Sequence, residues 1–391
     1  MSGAELVLTT IAGLGLLIWL YLLLGRGMFW LARERDDRQE PAEPSRWPSV
    51  VAVMPARDEA DVIARSIGSL LAQDYPGEFR VVLVDDQSGD DTGKIARALP
   101  GAERLEVLAG SPLPRGWVGK MWAVHQGVAH ASRSAPDYVL LTDADIGHQT
   151  VNLRKLVARA EAGRLVLVSL MVRLHCKTRA ERLLIPAFVF FFDMLFPFGW
   201  VNNPKRKLAA GAGGCMLVRR QALEAAGGVG EIKDAIIDDC ALAGRLKAQG
   251  PVWLGLTLRA ESLRPYAGFA EVAQMVSRSA YAQLGYSPWL LAGTVLGMAL
   301  TYLAPAMLAL SLHGLAAAVG AMTWLLMAIS FQPMLRLYRL SPLWGLALPL
   351  IGLLYTAFTL QSAVQVWSGK GGMWKGRAQA EAHLEAMEAA E

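Results

Sequence analysis

Acidic side chains follow two apolar stretches of this sequence, at the point where each stretch ends. Asp143 and Asp145 stand one residue apart directly after Tyr138–Thr142, and Asp86 comes soon after Arg80–Val84. Two carboxylates this close repel each other unless a cation lies between them. Their oxygens suit Mg²⁺ or Mn²⁺, with phosphate oxygens and water completing the coordination shell. The pattern predicts a divalent metal site for a phosphate-bearing ligand; capping of the following helix is the alternative.

A second acidic pair, Asp238 and Asp239, opens a predicted helix that runs to Leu246. Adjacent carboxylates at a helix start are explained by capping alone, or by one of them accepting a proton from a hydroxyl group. Desolvation raises the pKa of such a carboxylate and makes it a better base. The glycine-rich residues 211–214 upstream allow a close backbone approach to a ligand, or form a tight turn.

A glycine-containing loop, PRGWVGK at residues 114–120, ends in Gly119 and Lys120 at a predicted helix start. Backbone N–H groups at such a start face an anion, and the lysine adds a positive charge. The loop is not a Walker A motif, because Met121 follows Lys120 where serine or threonine is required. No GxGxxG follows the first predicted strand, which argues against a dinucleotide site.

The elements that position these residues alternate between strand and helix. Short β-branched runs typical of buried strands occupy 50–54, 80–84, 105–108 and 138–142. Helical spacing of apolar residues marks 58–73, 90–99 and 120–131. The alternation predicts an α/β fold with a doubly wound, mostly parallel sheet, whose ligands bind beyond the carboxyl ends of the strands. For Asp58 and Asp90, which open predicted helices, capping is the favoured interpretation.

Composition separates a polar part of the chain from an apolar part. Of 391 residues, 53% are hydrophobic and 18% are charged, with a formal net charge of +4. A soluble domain carries about 25% charged residues. The sequence lacks the basic stripe with interleaved aromatic residues that is typical of nucleic-acid-binding proteins. The three cysteines form no CxxC pair, and the histidines have no mutual metal-ligand spacing; His148 alone is close in sequence to the first acidic pair.

An apolar run at 6–24 is long enough to cross a bilayer and lacks a signal-peptide cleavage site. No Lys or Arg precedes it, whereas Arg26, Arg33, Arg35 and Arg38 follow, so the positive-inside rule predicts an outside N-terminus and a cytoplasmic polar region. Three more candidate spans lie at about 288–310, 314–333 and 343–366. Three spans after a cytoplasmic region would leave the tail outside, whereas the basic residues of the tail indicate the cytoplasmic side. The number of spans therefore stays open.

The segment 183–200 (LLIPAFVFFFDMLFPFGW) is apolar but lies inside the polar region and carries Asp193. An interfacial helix on the bilayer and a buried core helix are both compatible with it. The predicted organisation is then an anchor at 1–25, a linker at 26–47, a cytoplasmic α/β domain at 48–285, membrane helices at 286–367, and a polar tail at 368–391.

Together the motifs resemble the family 2 glycosyltransferases of the GT-A fold. PARDE, VDDQS, the GxxGK loop, DAD, a glycine-rich stretch before MLVRR, and IDDCALAGRL occur in that family's order across about residues 48–285. More narrowly, LPRGWVGKMWAVHQG, ERLLIPAFVFFFDMLFPFGWVN and DDCALAGRLK are similar to the hopene-associated glycosyltransferases found near bacterial hopanoid genes.

This resemblance implies a role for each matched residue. Asp143 and Asp145 would hold the metal and the diphosphate, and Asp239, beside Asp238 in place of the family's usual glutamate, would be the catalytic base. The residues implied to line the nucleoside are Pro55, Ala56, Arg57, Glu59 and Asp86.

The sequence therefore predicts an inverting, metal-dependent glycosyltransferase of the bacterial inner membrane, with a nucleotide-sugar donor and a lipid acceptor. A hopanoid or related isoprenoid is the acceptor that the resemblance implies. The alternatives are a polyprenyl-phosphate glycosyltransferase, whose anionic acceptor needs little help from a base, and a non-catalytic nucleotide-sensing membrane protein. A transporter is disfavoured, because the predicted spans hold almost no ionisable residues.

Overall fold

The structure is a computed structural model that describes residues 2–311 and 314–372. It contains two compact units. The α/β unit comprises Glu34–His175 and Trp200–Pro265, and the helical unit comprises the chain up to Arg33, Cys176–Gly199 and Tyr266–Gly371. The predicted polar tail lies outside the described residues beyond position 372.

One eight-stranded mixed sheet forms the centre of the α/β unit, in the order β3-β2-β1-β4-β7-β6-β8-β5. Its strands are β1 Val50–Ala56, β2 Phe79–Asp85, β3 Leu105–Ala109, β4 Tyr138–Thr142, β5 Ile146–His148, β6 Leu167–Arg173, β7 Cys215–Arg219 and β8 Val252–Ser262. The pairs β1–β2, β1–β4, β2–β3 and β6–β8 are parallel, whereas β4–β7, β6–β7 and β5–β8 are antiparallel.

The helices of both units, in chain order, are α1 Gly3–Leu20, α2 Ile63–Leu71, α3 Thr92–Arg97, α4 Gly119–Ala131, α5 Asn152–Gly163, α6 Arg179–Leu195, α7 Phe198–Val201, α8 Arg220–Ala225, α9 Asp238–Lys247, α10 Phe269–Ala280, α11 Pro288–Met298, α12 Ala304–Leu310, α13 Gly314–Ser330, α14 Gln332–Leu337 and α15 Leu348–Trp367.

The predicted α/β elements are confirmed, with later starts for two helices. All seven residues of β1 are buried, as expected of a central parallel strand. Helix α2 begins at Ile63 rather than Asp58, because Asp58 adopts a positive φ of 50° and accepts the Gly89 N–H. Helix α3 begins at Thr92, whose backbone N–H donates to the Asp90 side chain. The capping interpretation of Asp90 fits this geometry.

In the part of the chain that the structure describes, five helices are long and apolar enough to cross a membrane: Gly3–Gly25, Arg179–Val201, Pro288–Leu310, Gly314–Leu337 and Pro342–Trp367. Four of them coincide with the spans expected from the sequence. They pack through aromatic rings, and Trp19 Nε1 donates to the carbonyl of Thr301 at 2.8 Å.

The fifth helix contains α6 and lies in the helical unit. More than half of the residues of α6 are buried, and Phe191 makes edge-to-face ring contacts with Tyr302 and Tyr355. This burial favours the core-helix interpretation of 183–200 over a helix lying on a bilayer surface. The helical unit also contains residues 176–199 and 266–285, which the sequence assigns to the α/β domain. Their apolar side chains pack among the other apolar helices of that unit.

Candidate active site

The predicted site residues meet at the carboxyl ends of the central parallel strands. A pocket of about 380 Å³, including its open mouth, lies at this edge of the sheet. Its polar wall is formed by Lys120, Asp143, Asp238 and Asp239, with Gly213 beside them. Asp143 of the first acidic pair therefore lines the same cavity as Asp238 and Asp239, which begin 95 residues further along the sequence.

Lys120 holds the two acidic pairs together. Its Nζ lies 2.9 Å from Asp143 Oδ1 and 3.1 Å from Asp238 Oδ2. Burial alone lowers the pKa of an ammonium group, but Asp143, Asp238 and Asp239 outweigh that effect and raise the pKa of Lys120. The side chain is therefore a permanent positive charge between carboxylates.

Asp239 has both side-chain oxygens held by backbone N–H groups at the start of α9. Gly213 N donates to Oδ2 at 2.9 Å, and Cys240 N donates to Oδ1 at 2.7 Å. Burial raises the pKa of Asp239, the charge of Asp238 raises it further, and Lys120 lowers it. The half-buried carboxylate is thus oriented and more basic than an ordinary aspartate, as a general base requires.

The glycine-rich stretch is needed for this close approach. A Cβ on Gly211 would lie 2.8 Å from the main-chain oxygen of Asp239, a distance at which the backbone must shift. A Cβ on Gly213 would lie 3.4 Å from Lys120 Nζ. The glycines at 211 and 213 therefore let the backbone approach Asp239 and Lys120 closely, and the predicted approach to a ligand stays a prediction.

Asp145 lies beside a basic residue that sequence reasoning missed. Arg264 Nε is 3.9 Å from Asp145 Oδ2, and its Nη2 also forms an ion pair with Glu59. Ser262 Oγ donates to Asp145 Oδ2 at 3.4 Å. Burial raises the pKa of Asp145, Asp143 raises it further, and Arg264 lowers it. No local motif marks Arg264, which lies in the loop after β8.

The residues expected to line the nucleoside lie at the ends of β1 and β2. Arg57 Nη1 donates to the carbonyl of Asp86 at 2.6 Å, and the Asp86 side chain is fully buried. The Asp86 N–H donates to the carbonyl of Ala56, and Glu59 N donates to Thr92 Oγ1. Pro55 itself lines the pocket.

His148 is a core residue rather than part of the pocket lining. Asn152 Nδ2 donates to His148 Nδ1 at 3.0 Å, so Nε2 carries the proton and donates to Thr142 Oγ1. Thr142 in turn donates to the carbonyl of Gly214 at 2.9 Å. Burial lowers the pKa of His148 to about 4, which keeps it neutral.

The donor set fits a hard divalent cation that shares its coordination with phosphate. Asp143 and Asp145 supply carboxylate oxygens, and the ammonium of Lys120 stands against Asp143 where a cation is needed. Among residues 2–311 and 314–372, no cluster of three or more His, Cys, Asp or Glu side chains is arranged to hold a metal ion. The remaining ligands would have to be water and diphosphate oxygens.

Part of the wall of the pocket is apolar, which the sequence did not reveal. It is lined by Met121, Val124, Val229, Ile232 and Leu242. These residues come from α4, from α9 and from the turn that precedes α9, so only the folded chain brings them together. The cavity therefore has both charged and apolar lining.

Residues 51–227 match the family model described as Glycosyl transferase family 2. Among solved structures, a mannosyltransferase from Pyrobaculum calidifontis in complex with GDP-Man and Mn²⁺ is similar, with 20% identity, 92% of this chain and 99% of that chain covered, and a TM-score of 0.52. At this identity the likeness shows a shared fold. No curated protein sequence gives a significant match.

Two further solved structures are similar over a smaller share of this chain. TarS 1–349 from S. aureus in complex with UDP has 17% identity, with 60% of this chain and 65% of that chain covered and a TM-score of 0.39. Glucosyl-3-phosphoglycerate synthase from Mycobacterium tuberculosis in complex with Mn²⁺, UDP-Glc and phosphoglyceric acid has 22% identity, coverages of 61% and 79%, and a TM-score of 0.40.

Proposed function

Starting from the glycosyltransferase family 2 domain at residues 51–227, we propose that this enzyme is membrane-bound and inverting. It transfers a sugar from a nucleotide-sugar donor to a lipid acceptor. The observation that carries the proposal is the oriented carboxylate of Asp239 in the pocket that also holds Asp143 and Lys120.

Asp239 is the proposed general base of a single displacement. It accepts the proton of the acceptor hydroxyl as that oxygen bonds to the anomeric carbon and the bond to the donor's diphosphate breaks. Its two backbone hydrogen bonds fix the orientation of the carboxylate. Asp238 supports the base by holding Lys120 at 3.1 Å. Attack opposite the leaving group inverts the anomeric configuration.

Asp143 and Asp145 are the proposed ligands of Mg²⁺ or Mn²⁺, which, when bound, neutralises charge on the leaving diphosphate. The N-terminus of α4 at Gly119 and the Lys120 ammonium are the proposed phosphate contacts. Arg57, Glu59 and Asp86, with Pro55 and Ala56, are proposed to line the nucleoside. The mannosyltransferase with GDP-Man and Mn²⁺ has the same fold, which supports this class of donor.

A lipid acceptor is supported by the apolar wall of the pocket and by the five helices long and apolar enough to cross a membrane. We propose a hopanoid or related isoprenoid alcohol and a location in the bacterial inner membrane. The competing acceptor is a polyprenyl phosphate, whose oxygen is already ionised. The ordered carboxylate of Asp239 favours the alcohol, because only an alcohol must lose a proton.

The acceptor is tested with membranes that contain the chain, a panel of radiolabelled nucleotide sugars, and bacterial lipid extract. Label that passes into the organic phase and resists mild acid indicates a glycoside of an alcohol. Acid-labile label indicates a sugar phosphate and supports the alternative. Metal-dependent binding of a donor without transfer to any lipid would contradict the enzymatic proposal and favour a nucleotide sensor.

A further inference from the structure

The pocket and its rim carry far more negative than positive charge. Lys120 and Arg264 are surrounded by six carboxylates, so the net formal charge of the group is −4. The six are those of Glu59, Asp61, Asp143, Asp145, Asp238 and Asp239. A diphosphate would be repelled from such a site unless a cation enters with it. Two positively charged side chains already lie in the site, Lys120 beside Asp143 and Arg264 beside Asp145.

Lys120 is the resident cation of Asp143. The ammonium lies 2.9 Å from Asp143 Oδ1 and is also 3.1 Å from Asp238. A divalent metal that binds Asp143 places two positive charges beside this ammonium. Because the side chain is mostly buried, water screens the repulsion only weakly. Metal binding without a donor therefore works against Lys120.

Arg264 is in the equivalent position beside Asp145. Its Nε lies 3.9 Å from Asp145 Oδ2, while its Nη2 pairs with Glu59 and lies 3.9 Å from Asp61. About a third of the side chain is exposed, so an incoming ligand can reach it. A guanidinium pairs with phosphate oxygens as readily as with carboxylates.

We propose that Lys120 and Arg264 are resident counter-ions that make divalent-metal binding depend on the donor's diphosphate. With metal alone, both side chains are repelled and gain no new partner. With diphosphate present, each exchanges a carboxylate for phosphate oxygens, and the metal takes the carboxylates so released. Metal and nucleoside diphosphate then strengthen each other's binding by the same factor. This inference rests on the proposed function.

The test measures Mn²⁺ binding to the detergent-purified full-length chain, from the electron paramagnetic resonance of free Mn²⁺, with and without UDP or GDP. The wild type is expected to bind Mn²⁺ at least about tenfold more tightly when one nucleoside diphosphate is present. K120M and R264M are each expected to bind Mn²⁺ alone at least about fivefold more tightly than the wild type, with a smaller gain from the nucleotide.

K120R keeps the positive charge and is expected to behave like the wild type. K94M removes an exposed lysine of the same unit and serves as the matched control. Thermal unfolding identifies a variant that fails to fold, in which case the other position decides. Variants that bind Mn²⁺ alone no more tightly than the wild type would overturn the inference while leaving the proposed function intact. A wild type that binds neither Mn²⁺ nor either nucleotide would contradict both.

Discussion

At the scale of single residues, the two adjacent aspartates have different surroundings. Asp239 accepts two backbone hydrogen bonds, whereas Asp238 forms an ion pair with Lys120. Burial and the charge of its neighbour raise the pKa of Asp239. These differences support the proposal that Asp239 is the base and that Asp238 acts on it electrostatically.

The acid limb of the pH–rate profile should report this coupling. A base works only when ionised, so the rate falls as the pH drops through the raised pKa of Asp239. D238N removes the like charge and lowers that pKa, so the acid limb of kcat should move to lower pH. Rates of sugar transfer measured across the acid and neutral pH range check this.

D91N is the control, because it removes an exposed carboxylate directly before α3. The acid limb of its pH–rate profile should stay at the wild-type pH. A limb that stays fixed or moves to higher pH in D238N would show that another group controls the profile.

Local motifs predicted Lys120, Asp143 and Asp239, which the structure brings together in one pocket, but they gave no signal for Arg264. The DAD motif, Lys120 and Asp239 occur beside strands or helix starts, where the chemistry is visible from spacing. Arg264 lies 119 residues after Asp145 in an ordinary loop, and only the fold brings the two together. His148 is close in sequence to the acidic pair, but it is buried in a hydrogen-bonded core.

At the scale of elements, helix α4 carries Lys120 and must lie close to the sheet. A Cβ on Gly127 would lie 2.4 Å from Val53 Cγ1 and 3.0 Å from Val84 Cγ2, so α4 touches β1 and β2 through a residue without a side chain. A Cβ on Gly68 in α2 would meet no atom within 4 Å. Gly127 and Gly68 both lie inside helices, and they differ in whether neighbouring atoms occupy the space that a methyl group would need.

This contrast predicts opposite effects for two matched substitutions. G127A should destabilise the protein by about 1–3 kcal/mol, because the added methyl group overpacks the contact with β1 and β2. G68A should stabilise it by about 0.5–1 kcal/mol, since alanine favours the helix. Thermal unfolding of the full chain in detergent measures both. Equal effects would mean that α4 does not pack on the sheet as described.

Elements were predictable where one periodicity dominated. The β-branched runs of β1, β2 and β4 are buried on both faces, so their composition alone marks them. The four later strands, β5 to β8, were not predicted, and their pairing, which includes the antiparallel contacts of β5 and β7, depends on the folded sheet. Helix α6 was ambiguous, since an apolar helix has similar composition whether protein or lipid covers it.

At the scale of the whole molecule, charge and hydropathy indicate how the chain inserts into a membrane. The apolar helix Gly3–Gly25 is followed by four arginines, at positions 26, 33, 35 and 38. The positive-inside rule then predicts that residue 3 lies outside and the α/β unit in the cytoplasm. This predicted orientation would give the proposed active site access to cytoplasmic nucleotide sugars.

Cysteine labelling in intact bacterial cells checks this orientation. G3C should react with a membrane-impermeant maleimide from outside, whereas K94C should react only after lysis. The unsubstituted chain, with its own three cysteines, gives the background. Labelling of K94C in intact cells would contradict a cytoplasmic α/β unit.

The most direct test of the central claim compares the wild type with D239N in the purified full-length chain. One assay measures binding of a nucleotide sugar with Mn²⁺, and the other measures transfer of its sugar to lipid. We expect D239N to bind the donor normally and to lose at least about a hundredfold in transfer rate, because the acceptor hydroxyl loses its base. Transfer at the wild-type rate in D239N would contradict the assignment of Asp239.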